Sequence, residues 1–256
     1  MNSKISTSCN MVPAQTDRGE LFDRARTFAQ KVENLLESTV AHGNHPDLGA
    51  KKMEGRDPEA VVVATPRNRP IQLNVESVPL LRLDLRYHLE ISSEGDYTRI
   101  ERSTFQVRGM VKRVSPFFRY DFEAHPGSAA IPTAHLNVYG HRDDLLHAMY
   151  VSNKSRSRPA NKKDLDPKEP RGLHMLHFPI GGTRFRPCLE DILEFVIHEF
   201  GIDTTPGWQE AINAGRAEWR RIQLASAIQD DPETARRALA KLEGPPRIDE
   251  VKFTRY

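Results

Sequence analysis

The chain has 256 residues, 38% of them apolar and 28% charged, with a net charge of +2. That length fits one large domain with appendages, and the near-neutral balance excludes a global basic field for nucleic acid, leaving local patches only. Cys9 and Cys188 are the only cysteines and sit in unrelated contexts, so a disulfide framework is not expected and a reducing cytoplasm is. No apolar run reaches the roughly 18 residues of a membrane span, and the first ten residues lack an apolar signal core.

Residues 1–16 read as a disordered lead. Asp17 and Glu20 have the spacing of a capping box, and Leu21, Ala25, Phe28, Val32 and Leu35 then follow at steps of four and three. This predicts an N-terminal helix within residues 17–40, docked on its own core or offered to a partner. Residues 41–59 read as a polar connector, and Val61–Ala64 as a short strand ended by Pro66–Pro70.

Leu81–Ile91 carries the clearest pattern. Leu81, Leu83, Leu85, Tyr87, Leu89 and Ile91 alternate with Arg82, Asp84, Arg86, His88 and Glu90. Period-two alternation of this length is that of a long strand with one buried face. A turn at Ser92–Asp96 leads to strands at Tyr97–Val107, Val111–Glu123 (interrupted near Pro116) and Ala134–Tyr139. Strands in immediate succession indicate an antiparallel meander. Residues 151–170 form a basic, proline-rich flexible insertion, and Leu173–Phe178 a fifth strand closed by Gly181-Gly182.

Three helices are predicted to close the chain. The first starts at Pro187 and stops at Gly201, the second spans about Pro206–Ile228, and the third is capped by Asp231 with Pro232 at its first position. The fold class is therefore α+β: an antiparallel sheet of four or five strands, a leading helix, and about three closing helices on one face. The organisation divides as a 60–200 core, C-terminal helices over 201–244, and an irregular tail over 245–256.

Period-two geometry also defines a candidate site. Arg119 and Asp121 fall on one face of their strand, and His135, Asn137 and Tyr139 on one face of theirs. With the apolar faces aligned, Arg119, Asp121, His135, Asn137 and Tyr139 share the other face, and Arg86 and His88 of the long strand can join them. An imidazole to move a proton, a carboxylate, and arginine to stabilise charge on a phosphate are the parts of a metal-independent nuclease. A solvated sheet face shows the same alternation. No cofactor is expected, and no metal either: His135, His141 and His147 have no cysteine partners, and His174 and His177 would face opposite sides of a strand. Gly181–Pro187 offers a second site, where a glycine turn, Arg184, Arg186 and a helix start could bind an anion or nucleotide.

The order of long strand, hairpin, Arg119-Tyr120-Asp121 and then His125 and His135 resembles the TumE-like toxin components of bacterial toxin–antitoxin pairs. The resemblance covers residues 80–145. It departs where that family has closely spaced histidines, since Thr133-Ala134-His135-Leu136-Asn137 holds one. It implies a growth-inhibiting bacterial protein that acts on RNA and pairs with a protein antitoxin. Three functional readings result: a ribonuclease using His135, Asp121 and Arg119; a non-enzymatic interaction module docking through its first helix and the Trp208–Trp219 helix; and an anion or nucleotide binder at Arg184 and Arg186.

Overall fold

A computed structural model describes residues 15–40, 47–53, 60–67, 69–91, 98–110, 115–139 and 178–241. The strands are β1 (Gly49–Lys52), β2 (Ala60–Ala64), β3 (Ile71–Val75), β4 (Val78–Ile91), β5 (Thr98–Gly109), β6 (Phe118–Glu123), β7 (Ala134–Val138) and β8 (Phe178–Pro179). The helices are α1 (Gln15–Glu37), α2 (Gly182–Phe185), α3 (Leu189–Phe200), α4 (Trp208–Asp230) and α5 (Pro232–Ala240).

β4 is the spine. Leu81, Leu83, Leu85, Tyr87 and Leu89 are buried at every second position, and a strand of 14 residues is long enough to hold three neighbours. β5 pairs along one edge, while β2 and β3 share the other, at Arg86–Glu90 and Val78–Leu83 respectively. The order is β1-β2-β4-β5-β6-β7-β8 with β3 beside β4, antiparallel at every pairing. The sheet therefore has eight strands, more than the four or five expected. β1 lies inside the stretch read as a connector; Gly49-Ala50-Lys51-Lys52 has no apolar alternation and becomes a strand by pairing with β2. An edge strand that is short and carries lysine also resists pairing with other chains.

The β3–β4 connection is a two-residue turn with positive φ at both Glu76 (49°) and Ser77 (64°). Positions of that kind favour glycine or asparagine. Here the carboxylate of Asp203 holds the turn, accepting from the Glu76 N–H at 2.9 Å and the Ser77 N–H at 2.7 Å.

Among the described residues, the packed helices cover one face of the sheet. Phe28 of α1 meets Tyr87 edge-on at 4.9 Å between centroids, and Phe195 of α3 meets Phe118 at 5.4 Å. Leu21, Ala25, Ala29, Val32 and Leu36 are the buried stripe of α1, which begins at Gln15, so Asp17 lies inside the helix rather than capping it. α3 buries Leu189, Ile192, Leu193, Val196 and Ile197 and ends as expected on Gly201, in the left-handed region at φ 65°. Asp231 caps α5, its Oδ1 accepting from the Thr234 N–H at 3.0 Å. Among the described residues no helix is long and apolar enough to cross a membrane. The basic insertion at 151–170, the strand expected over residues 173–177, and His42, His45, His141, His147, His174 and His177 lie outside the described residues.

Candidate functional site

The strand register decides which side chains meet. Phe118 pairs with Val138, Arg119 with Asn137 and Asp121 with His135, so the apolar faces of β6 and β7 align and the polar residues share the opposite, open face. The register continues across the sheet. Arg86, Thr104, Asp121 and His135 form one cross-strand row, and Asp84, Gln106, Arg119 and Asn137 the adjacent one.

Asp121 is the hub. Its Oδ1 accepts from the Thr104 hydroxyl at 3.0 Å, and its Oδ2 from Arg119 Nε at 2.5 Å and from the Asn137 amide at 2.9 Å. Charge-assisted bonds of this kind hold a carboxylate in one orientation. His135 Nε2 stands 3.6 Å from the same Oδ2. Its Nδ1 lies 2.9 Å from the Pro132 carbonyl oxygen, which can only accept, so Nδ1 carries a proton. His135 and Asn137 are buried, at 5% and 1% exposure, although both lie on the sheet's open face.

The geometry brings Arg119, Asp121, His135 and Asn137 together and adds Thr104 to them. Asn137 was on the correct strand face by period two, whereas Thr104 enters only through the β5–β6 register, which no local pattern gives. Arg86 shares the row of Asp121 and His135 but is exposed. His88 is half-buried, one step along the face, opposite Arg102. Tyr139 lies just past β7, its N–H donating to the Phe117 carbonyl at 3.0 Å. Four residues of strand, about 13 Å, separate it from His135.

The two arginines of the Gly181–Pro187 segment do not converge on a common point. Gly181 adopts φ 63°, and a Cβ there would collide with the Phe185 carbonyl, so only glycine fits the start of α2. Arg184 forms a bidentate pair with Asp230, at 2.6 and 2.9 Å. Arg186 is buried on the helix-covered side, its guanidinium 3.6 Å above the Phe122 ring and 4.8 Å from that of Trp219, and it donates to the Thr183 carbonyl. Burial, then the neighbouring Arg184 charge, pushes its pKa down to about 10.

Cys188, at the α3 N-terminus, is in a position that often yields a reactive thiolate. Here burial, followed by the nearby Glu190 and Asp191 carboxylates, drives its pKa up, and the thiol donates to Asp191 Oδ2 at 3.2 Å. It is an inert structural thiol. Among the described residues no group of three or more His, Cys, Asp or Glu is arranged to hold a metal ion. Two open hollows lie away from the Asp121 cluster, one along α1 at Glu20, Asp23, Arg24 and Thr27 and one at Thr204–Glu210. Compared with known proteins, the chain matches no family model, no curated protein and no solved structure.

Proposed function

We propose that the protein binds RNA across the open face of its sheet. The observation that carries this reading is a charge imbalance. On the β4–β6 part of that face stand Arg82, Arg86, Arg99, Arg102, Arg108 and Arg119 against Asp84, Glu90, Asp121 and Glu123. Three of these carboxylates are each paired with one arginine: Asp84 with Arg108, Glu123 with Arg102, and Asp121 with Arg119. Arg82 and Arg86 are left without a carboxylate among the described residues, and Arg86 is exposed. Arginines without a described carboxylate, on a sheet face that no described helix covers, are suited to backbone phosphates, whose neutralisation dominates affinity for nucleic acid. The resemblance to TumE-like toxins agrees with this reading and adds a protein antitoxin as the expected partner.

A second reading, cleavage of the bound RNA, is favoured by one specific feature. The Pro132 carbonyl fixes the proton on His135 Nδ1 and so turns Nε2 toward Asp121, beside Arg119. An oriented imidazole–carboxylate pair next to a guanidinium can move a proton at a phosphodiester. Because His135 is 5% exposed, this chemistry needs the cluster to open when RNA docks.

Both readings are tested by incubating the purified chain with a mixed RNA pool from pH 5 to 8 without added metal. Arg86→Ala is expected to weaken binding of every sequence and to lower the slope of log K against log salt by about one. His135→Ala is expected to leave binding intact and remove cleavage. A wild-type chain that binds no RNA at low salt sinks the proposal. RNA that is bound but stays whole across that pH range removes the second reading alone.

A further inference from the structure

At one position the open face sets like charges against each other. Arg82 of β4 is the direct cross-strand partner of Arg108 of β5. Side chains so opposed have Cβ atoms only about 5 Å apart, and like charges there are destabilising. Asp84 relieves one side of the pair by an ion pair, its Oδ2 3.0 Å from Arg108 Nε. Nothing described relieves the other: Arg82 has no carboxylate, and its Nε is buried without a hydrogen-bond acceptor. Buried donors left unmatched are uncommon, and one beside a second guanidinium points to an anionic acceptor. On the far side of Arg82 its β3 partner is Gln72, half-buried, with an amide that can donate. Gln72, Arg82 and Arg108 thus form a row of donors across three strands with a single carboxylate beside it, for a local charge of +1.

We propose that this row is an oxyanion site that takes a phosphate group between Arg82 and Arg108. An oxyanion there converts a like-charge contact into two charge-assisted pairs, and guanidinium groups suit a tetrahedral oxyanion because they donate two parallel N–H bonds. The site rests on the RNA reading for one thing, the source of its phosphate. Arg82 and Arg86 lie four residues apart on the same strand and face, about 13 Å, so one extended polynucleotide can reach both. A free phosphate or phosphomonoester has the same chemistry.

The test uses the full chain and inorganic phosphate, titrated against chloride at constant ionic strength by calorimetry and by thermal shift. Wild type is expected to bind phosphate. Arg82→Gln is expected to bind about tenfold more weakly or worse, the loss of one charge-assisted pair. Asp84→Asn is expected to bind more tightly, because it releases Arg108 to the anion, and it decides the matter should Arg82→Gln fail to fold. Wild type without phosphate binding overturns the proposal, as does a folded Arg82→Gln that binds like wild type, or an Asp84→Asn that binds no better. A short single-stranded RNA distinguishes the sources: Arg82→Gln that loses both ligands places a backbone phosphate in the site, and loss of phosphate alone places a free one there. Phosphate binding by a wild type that ignores RNA keeps the site and rejects the RNA reading.

Discussion

On the helix-covered side of the sheet, Arg216 of α4 is 2% exposed and donates to Asp191, Glu194 and Asn213. On the open side, Arg86 is exposed with no carboxylate among the described residues. Both are arginines near the middle of the same molecule, and the difference between them is solvent. Taking a guanidinium out of water costs several kcal/mol, so it survives only where most of its N–H groups find acceptors. Under the helices, arginine is therefore a structural tie. On the open face water pays that cost, and arginine is left able to meet a ligand.

The sharpest way to break this comparison is to remove the tie. Arg216→Met keeps the bulk of the side chain but removes the guanidinium that Asp191 and Glu194, 11% and 17% exposed, accept from. A loss of about 3–5 kcal/mol in urea unfolding is expected. A loss below about 1 kcal/mol would show that the helix layer does not depend on this network, and the contrast between the two sides would fail. The Asp121 cluster should fall between these extremes. Asp121→Asn keeps the shape but withdraws the charge that Arg119, Asn137 and Thr104 point at, and is expected to cost about 1–2 kcal/mol by the same measurement. A cost equal to that of Arg216→Met would mean that the open-face cluster is a second structural core, which would remove the basis for a functional reading of it.

How much of this could be read from the sequence follows from the range of each interaction. The alternation in β4 and the apolar stripe of α3 are local, so both were legible, and so was the face shared by Arg119, Asp121, His135 and Asn137. β3 also carried its signal, Ile71, Leu73 and Val75 alternating with Gln72 and Asn74, but the prolines before it obscured the start. β1 had no signal, because its strand state comes from β2 across the sheet. The Glu76–Ser77 turn contradicts its local propensity and is held by Asp203, more than 120 residues away. For the same reason Arg184 and Arg186 read as an anion grip: their partners Asp230, Phe122 and Trp219 lie in other elements, and sequence spacing cannot show that a charge is already satisfied. Thr104, Arg82 and Arg108 became visible only with the register of β5 against β4 and β6.

The smallest expected effect tests the covered side through pH. Glu190 packs its carboxylate against α4 where Gly215 leaves room, and a Cβ at Gly215 would collide with it. Burial there raises its pKa above the ordinary 4.5, and the Cys188 hydrogen bond offsets only part of the shift. The folded chain therefore holds this proton more tightly than the unfolded chain. By linkage, stability from this group is greatest below the unfolded value and declines as pH rises from about 4.5 through the raised folded value, above which the charged carboxylate is simply tolerated. Glu190→Gln removes that titration, so its urea midpoint should fall less than the wild-type midpoint between pH 4 and pH 7, with the two chains diverging as pH rises. Parallel pH profiles would mean that Glu190 titrates as it does in the unfolded chain, and that water reaches the helix-covered side as freely at this point as it reaches Arg86.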